Sequence, residues 1–232
     1  MNKKLICILG DVHGRYEFLQ AKIINAKLDN CYIICVGDLG IGFQQTHEQE
    51  LKSLENLNKF FAKRNITFMS IRGNHDDPEY FNTNTKLSHI ELLPDYTSRV
   101  INDETFLFAG GAHSIDRHRR KLENDRWWAD EPFVLKPDLV TQCDTLITHS
   151  APIWLFPNKL ENYMIHPADT TIVADCNQEK QDIDSLLKLC NAKKIYTGHF
   201  HTHITVDYTR YESNHKCYGR ILPELGIVEH NQ

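Results

Sequence analysis

The sequence predicts an α/β fold in which two sheets pack face to face and helices cover their outer faces. In the first half of the 232-residue chain, short apolar runs alternate with longer amphipathic runs. This order of strand, helix and strand is typical of a mostly parallel sheet with helices packed over it. In the second half, shorter apolar runs follow one another with fewer helical segments between them, which suits a second sheet.

The first half is predicted to supply three buried strands and two amphipathic helices. The strands are the apolar runs Leu5–Leu9, Tyr32–Val36 and Ile66–Ile71. The helices carry apolar residues at helical spacing, at Phe18, Leu19, Ile23, Ile24 and Leu28 in the first and at Leu51, Leu54, Leu57, Phe60 and Phe61 in the second.

The second half is predicted to supply five strands and one helix. The strands are Glu104–Ala109, Thr145–Thr148, Lys194–Thr197, Ile204–Tyr208 and Gly226–Glu229, and the helix carries Ile183, Leu186, Leu187 and Cys190. The segment from about residue 110 to 137 is charged and aromatic at once, so we expect an insertion-like loop there rather than a regular element. Because no linker rich in Gly, Pro or Ser divides the chain, residues 1–232 are expected to form a single domain.

Composition narrows the possible functions. The formal net charge of -5 argues against nonspecific duplex binding, because the phosphate backbone attracts clustered Lys and Arg. The seven cysteines include no C-x-x-C pair, and an odd count cannot close into a complete disulfide set, so we expect them to be reduced. No apolar run reaches the roughly 18 residues of a membrane helix, and Leu5–Leu9 is too short for the core of a signal peptide. We therefore expect a cytoplasmic protein without membrane contact.

Five predicted strands end in a short polar motif. The motifs are Gly10-Asp11-Val12-His13-Gly14, Gly37-Asp38, Gly73-Asn74-His75-Asp76, Thr148-His149-Ser150 and Gly198-His199-Phe200-His201. In open α/β sheets, ligands bind beyond the carboxyl ends of the strands, so these motifs are expected to converge on one pocket. Each motif alone is more often a turn with a capping side chain than a ligand. Their joint occurrence favours a shared site.

The residue types in these motifs suit a metal site. Asp11 and His13 are two residues apart, as are His199 and His201, so an extended backbone would point both members of each pair to one side. Neighbouring glycines permit tight turns and a close approach of the backbone. Carboxylate, imidazole and amide groups without a thiolate favour manganese, iron or zinc over a soft-metal site.

The ordered series G-D-x-H, G-D, G-N-H-D, H and G-H-x-H resembles that of calcineurin-like metallophosphoesterases, and it spans Asp11 to His201. The resemblance implies a four-layer α/β/β/α sandwich of two mixed sheets, with a dinuclear centre at the carboxyl ends of the strands. It also implies hydrolysis of a phosphate ester by a hydroxide that bridges two divalent metals, with manganese expected first and iron or zinc as alternatives.

The same resemblance implies a role for each motif residue. It assigns Asp11, His13 and His201 to one metal, Asn74, His149 and His199 to the other, and Asp38 to both as a bridge. His75 would donate a proton to the leaving oxygen or stabilise its charge. Asp76 would orient the ring of His75.

The sequence departs from the serine/threonine phosphatase branch of that family. Asp38 is followed by Leu39-Gly40-Ile41-Gly42 instead of the acidic and arginine residues of that branch, and the third motif ends in Asp76 instead of glutamate. We therefore expect a phosphodiester or nucleotide-type substrate, with single-stranded nucleic acid as a further possibility. The alternatives are a phosphomonoesterase acting on a phosphoprotein or small molecule, and a catalytically silent metal-binding scaffold. A nucleic-acid binder without chemistry is disfavoured by the acidic net charge. No obligate protein partner is evident.

The segment 110–137 offers candidates for contact with substrate. The arginines could bind phosphate, the tryptophans could stack on a base, and a histidine could face the metals. The residues concerned are His113, Arg117, Arg119, Arg120, Arg126, Trp127 and Trp128. An equally good interpretation is that the arginines form a solvated face and the tryptophans pack the loop down. Phe156, Tyr163 and His166 could form another wall of the pocket.

Overall fold

A computed structural model of the chain describes residues 3–83, 85–123, 125–157, 167–210 and 215–230. Within these ranges the chain forms eleven strands, five α-helices and two short 3-10 helices at Pro137–Leu139 and Ile153–Leu155. In chain order the strands and α-helices are β1 (Leu5–Leu9), α1 (Tyr16–Asn25), β2 (Cys31–Cys35), α2 (His47–Lys63), β3 (Thr67–Ser70), α3 (Pro78–Asn82), β4 (Ile90–Leu92), β5 (Thr97–Ile101), β6 (Glu104–Ala109), α4 (Arg117–Glu123), β7 (Thr145–Thr148), α5 (Ile172–Cys190), β8 (Lys194–Thr197), β9 (Ile204–Arg210), β10 (His215–Ile221) and β11 (Ile227–Glu229).

The strands form two mixed sheets, which confirms the predicted fold class. The first sheet has the order β11-β1-β2-β3-β4, and its strands are parallel except β11, which pairs antiparallel with β1. The second has the order β5-β6-β7-β8-β10-β9, with four parallel strands in the centre and antiparallel β5 and β9 at the edges. The carboxyl ends of β1, β2, β3, β7 and β8 carry the five polar motifs.

Three buried clusters lie between the layers. One joins α1 and α2 to one face of the first sheet, and it includes Leu19, Leu57 and Phe68. A second contains side chains of both sheets, such as Ile34 and Phe108. The third joins α5 to the second sheet. This sequence of helix, sheet, sheet and helix agrees with the expected four-layer sandwich.

The observed elements differ from the predicted ones where the apolar pattern is weak. The strands β4, β5 and β10 and the helix α3 were not predicted, and segment 110–137 contains the seven-residue helix α4. In β5 the burial alternates and only Ile101 is fully buried, so no apolar run marks the strand. Two apolar positions of α1 face solvent, since Phe18 is 65% and Ile24 49% exposed.

All seven cysteines are buried thiols, which is the state expected of reduced cysteines. None of the helices in the described ranges combines the length and apolar character needed to cross a bilayer.

Candidate metal centre

The polar motifs at five strand ends meet in one place. Four of their side chains form the first group of donor atoms, in which one ligand atom from each residue lies within 4.8 Å of the others. These residues are Asp11, His13, Asp38 and His201. Nε2 of His13 lies 2.9 Å from Nε2 of His201, and Nε2 of His201 lies 3.2 Å from Oδ2 of Asp11. Two carboxylates and two imidazoles at such distances could hold a divalent cation.

A second group of donor atoms lies on the other side of Asp38. Oδ1 of Asn74 is 3.1 Å from Nε2 of His149 and 2.9 Å from Nδ1 of His199. Oδ1 of Asp38 is 3.3 Å from Nε2 of His149, whereas its Oδ2 is 3.8 Å from Nε2 of His13 in the first group. One carboxylate therefore presents a different oxygen to each group.

Hydrogen bonds from outside fix these donors. Nδ1 of His149 donates to the carbonyl of Val36 at 2.9 Å, so Nε2 is the ring nitrogen that faces the site. A metal-binding histidine commonly donates its other ring nitrogen to a carbonyl in this way. The backbone N–H of His199 donates to Oδ2 of Asp11 at 2.9 Å, and that of His75 donates to Oδ1 of Asp38 at 2.8 Å. This donor set fits a metal centre.

Four of the candidate ligands have left-handed backbone conformations. The φ angles are 51° at His13, 50° at Asp38, 66° at His199 and 49° at His201. The expectation that an extended backbone aligns Asp11 with His13 and His199 with His201 is therefore wrong, although Asp11 and His13 do converge in the first group. A non-glycine residue in this region costs about 1–2 kcal/mol, and such strain concentrates at functional sites.

The glycines beside the ligands make room for side chains from other motifs. A Cβ at Gly73 would collide with the carboxylate of Asp38, and a Cβ at Gly198 would collide with that of Asp11. The sequence predicted that these glycines permit tight turns and a close approach of the backbone. The structure adds which ligand approaches each of the two glycines.

The charges of the donors are strongly coupled. Burial alone would raise the pKa of Asp38, but His149, His75 and His13 outweigh burial and hold its pKa well below the ordinary range. Burial lowers the pKa of His149, yet the carboxylate of Asp38 overcomes this and raises it to about 10. Burial and the neighbouring His149 lower the pKa of His199 well below its ordinary value. Asp38 is thus a carboxylate, and its charge organises the surrounding imidazoles.

His75 stands at the edge of the donor groups and faces the cleft. Its ring centroid lies 5.2 Å from that of His13 and 6.3 Å from that of Phe43. Burial lowers the pKa of His75, and the positive charge of Arg120 adds to this, while Asp38 opposes it. The imidazole is therefore neutral at neutral pH and can donate a hydrogen bond to a bound substrate.

Asp76 accepts hydrogen bonds from backbone N–H groups instead of orienting the ring of His75. Its fully buried carboxylate accepts hydrogen bonds from the backbone N–H groups of Leu39, Gly40, Ile41 and Gly73, at 2.7 to 3.2 Å. No hydrogen bond between Asp76 and the ring of His75 is found in the described part of the chain, which corrects the expectation that it orients that ring. Burial and the charge of Asp38 raise the pKa of Asp76 to about 6. Asp76 fastens the loop after Asp38 to the turn that carries Asn74.

A cleft of about 380 Å³ opens over the donor groups. Its walls are formed by Asp38, Asn74, His75, Ile115, Asp116, His199, Phe200 and His201. Sequence reasoning missed Ile115, Asp116 and Phe200. Phe200 stands between two motif histidines and could have been noticed from that position, whereas nothing in the sequence distinguishes Ile115 or Asp116 from their neighbours.

The seven residues of segment 110–137 expected to contact substrate are all described, and none of them lines this cleft. Arg117 forms a bidentate ion pair with Asp169 at 2.6 and 2.8 Å, and a further one with Asp175 at 2.7 Å. Arg119 is half exposed and pairs with Asp116 at 2.7 Å and with a glutamate of its own helix at 2.6 Å. Both guanidinium groups are thus neutralised by acids of the chain.

The other expected residues also have partners inside the protein. Arg120 is 2% exposed and lies 3.5 Å from the carboxylate of Glu131. The backbone N–H of His113 donates to Glu179 at 2.9 Å.

The aromatic candidates lie away from the cleft as well. The ring of Trp127 lies under the ammonium group of Lys121 at 4.2 Å, and Trp128 packs near Gly42. Phe156 packs against Phe200 with ring centroids 4.9 Å apart. Tyr163 and His166 lie outside the described residues.

Arg126 is the candidate that keeps the weakest ion pair. It is exposed, lies 3.6 Å from Asp125, and donates to the carbonyl of Phe43 at 3.1 Å. Because Phe43 neighbours His75, Arg126 is closer to the reacting end of the cleft than its position in the sequence indicates.

One comparison with known proteins, the match to a family model, supports a family assignment. A conserved uncharacterized protein of Streptococcus pneumoniae, described as a predicted phosphoesterase, is 11% identical, with a TM-score of 0.38 over 97% of this chain and 74% of its own. GAP50, described as the anchor in the inner membrane complex of Plasmodium, is 11% identical, with a TM-score of 0.42 over 94% of this chain and 70% of its own. No curated protein matches the chain. A family model described as calcineurin-like phosphoesterase matches residues 4–203, a segment that contains every candidate ligand.

Proposed function

Because this chain belongs to the calcineurin-like phosphoesterase family, we propose that it is a hydrolase of phosphate esters that holds two divalent metal ions. The position of Asp38 carries this proposal, since its two oxygens face two separate groups of donors. A lone metal site would need only one of those groups.

The ligands divide between the groups as the family resemblance implies. We assign Asp11, His13 and His201 to one metal, Asn74, His149 and His199 to the other, and Asp38 to both. Two ions held there would activate water and polarise the phosphate. Oxygen and imidazole donors without thiolate suit manganese first, with iron or zinc as alternatives.

His75 is the residue we place at the leaving group. It lines the cleft beside both donor groups, and its backbone N–H is anchored on Asp38 at 2.8 Å. Its neutral imidazole would donate a hydrogen bond to the leaving oxygen as negative charge develops there. A positioned group of this kind typically contributes about 10² to 10⁴ in rate.

The lining of the cleft favours a phosphodiester or nucleotide-type substrate. A dianionic monoester benefits more than a monoanionic diester from a guanidinium clamp, and the described lining contains the carboxylate of Asp116 but no arginine. The apolar walls at Ile115 and Phe200 suit the second organic substituent of a diester. A phosphomonoesterase remains the alternative, for which exposed Arg126 would supply the cation.

We also propose that the protein works in a reducing compartment such as the cytoplasm. The support is that all seven cysteines are thiols buried in the protein.

The test is hydrolysis of bis-p-nitrophenyl phosphate and p-nitrophenyl phosphate by metal-stripped protein refilled with manganese. Asp38→Ala is the informative variant, and Asp138→Ala is its control because Asp138 is exposed and outside the site. We expect turnover that requires metal, that is lost in Asp38→Ala, and that is faster with the diester. Two bound metals without turnover would favour a silent scaffold, and protein that binds no metal would refute the proposal.

A further inference from the structure

Ser114 lies directly behind the candidate ligand Asn74. It is 1% exposed, and Nδ2 of Asn74 donates to its Oγ at 3.0 Å. The opposite end of the same amide, Oδ1, faces His149 and His199 at 3.1 and 2.9 Å. The direction of this one hydrogen bond therefore decides whether an oxygen or an NH2 group faces the metal site, and only the oxygen can bind a cation.

The partners of Ser114 determine that direction. Its hydroxyl donates to the carboxylate of Glu131. Burial raises the pKa of Glu131 to about 7 while this hydrogen bond lowers it, so above that pH the carboxylate is ionised and can only accept. Nη1 of Arg120, which can only donate, also contacts Oγ of Ser114. With its proton directed at Glu131, the oxygen of Ser114 is left to accept from Arg120 and from Nδ2 of Asn74. The amide oxygen of Asn74 is then the end that remains for the site.

Further hydrogen bonds attach Ser114, Arg120 and Glu131 to one another and to the turn that carries Asn74. The backbone N–H of Ser114 donates to Oε1 of Glu131 at 3.0 Å, and Nη1 of Arg120 donates to the backbone carbonyl of Asn74 at 3.4 Å. Arg120 and Glu131 are 2% and 1% exposed. Two residues before Asn74, the guanidinium of Arg72 donates to the carbonyls of Asp130 and Glu131 at 3.0 and 2.7 Å. Segment 110–137 is thus attached to the Asn74 turn from both directions.

We infer that Ser114, held by Arg120 and Glu131, is a positioning residue that fixes the amide of Asn74 with its oxygen toward the metal site. Part of segment 110–137 then builds the metal centre instead of contacting substrate, and Arg120 acts through Asn74. Outer groups that orient metal ligands typically change metal affinity by about 10- to 100-fold when they are removed. The inference rests on the proposed function, because it takes Asn74 to be a ligand.

The first test compares Mn²⁺ binding by metal-stripped wild type, Ser114→Ala, Ser114→Thr and Ser70→Ala, measured by titration calorimetry. Ser70 is the matched control, because it is also fully buried and its hydroxyl is bonded to the backbone away from the site. We expect Ser114→Ala to weaken one of two Mn²⁺ sites by about 10- to 100-fold and to spare the other. Ser114→Thr, which keeps the hydroxyl, should bind more tightly than Ser114→Ala, and Ser70→Ala should match wild type. Equal weakening of both sites, or no weakening, would overturn the inference.

The second test needs no metal. The side-chain amide of Asn74, assigned in NMR spectra by its loss in Asn74→Ala, should exchange its protons slowly in wild type and Ser70→Ala and faster in Ser114→Ala. Equal exchange in all three proteins would overturn the inference. If wild type binds no Mn²⁺, the proposed function fails, and the exchange rates alone decide whether Ser114 fixes the amide.

Discussion

Replacing Arg72 by methionine should destabilise the protein strongly. Arg72 is 5% exposed and follows β3, just before the turn that carries Asn74. Its Nη2 and Nε donate to Oδ2 of Asp95 at 2.7 and 3.1 Å, and its other donors bond the carbonyls of residues 130–132 at 2.7 to 3.1 Å. Methionine would keep most of the apolar stem and remove every one of these donors.

The size of the effect depends on the carboxylate and the backbone carbonyls that lose the guanidinium as a partner. Removing one member of a buried ion pair costs about 3–5 kcal/mol, because the other charge stays without its partner. Asp95 is 21% exposed and keeps the backbone N–H of Gly110 at 2.9 Å, so water and that donor reduce its penalty. The carbonyls of residues 130–132 also lose their donors, which adds to the penalty at Asp95. We therefore expect the free energy of unfolding to fall by about 3–4 kcal/mol. For a chain of this length, that lowers the melting temperature by roughly 10 °C.

The control is the same substitution at a more exposed arginine. Arg99 also pairs with a carboxylate, Nη2 to Glu91 at 2.5 Å, but its side chain is 38% exposed although that of Glu91 is 13% exposed. Because water screens the guanidinium, we expect this pair to contribute about 1 kcal/mol. Urea unfolding followed by circular dichroism would give both free energies. If Arg72→Met costs no more than Arg99→Met, Arg72 does not anchor segment 130–132, and the attachment of that segment to the Asn74 turn is refuted.

Three further changes test the site and its surroundings. His75→Ala should lower turnover by about 10² to 10⁴ with metal content unchanged in elemental analysis; loss of metal would place His75 among the ligands. Gly198→Ala puts a Cβ onto the carboxylate of Asp11, so Mn²⁺ binding at the site that contains Asp11 should be lost in calorimetry, and retained affinity there would contradict the geometry. Burial raises the pKa of Glu179 from 4.5 to about 7. The folded state therefore holds the proton more tightly, and stability present below pH 4.5 is lost as the pH rises toward 7. At about 1.4 kcal/mol per unit, wild type should lose about 3 kcal/mol relative to Glu179→Gln across that window in urea unfolding, and parallel curves would exclude the shift.

The fold was predictable where a strand is buried on both faces. The strands β6, β7 and β8 begin and end at the predicted residues, because each is a continuous run of residues that the core requires. The strand β10, with the sequence His-Lys-Cys-Tyr-Gly-Arg-Ile, has no such run and owes its place to pairing with β8 and β9. Pairing with a distant strand leaves no local signal in the sequence.

The candidate ligands were predictable from the ends of the strands, and not from the spacing within each pair. Five strand ends with metal-binding residue types were enough to bring Asp11, Asp38 and His199 together. The extended geometry assumed for the pairs was wrong, because the chain turns sharply as soon as each strand ends and places His13, His199 and His201 in left-handed conformations. Residue type and strand order determined which residues meet, whereas the direction of each side chain depends on backbone that only the folded turn shows.

The role of the arginines in segment 110–137 cannot be assigned from the sequence until the acidic partner of each one is known. A run of arginines beside a phosphoesterase motif suggests a phosphate clamp as long as their acids are unknown. Arg117 pairs with Asp169, 52 residues later in the chain, and Arg120 pairs with Glu131 in a buried cluster. Because an ion pair between distant residues has no local spacing, the sequence could not separate a substrate clamp from a structural brace. The observed pairs favour the brace for Arg117 and Arg120, which leaves exposed Arg126 as the residue of that run with the freest access to a bound anion.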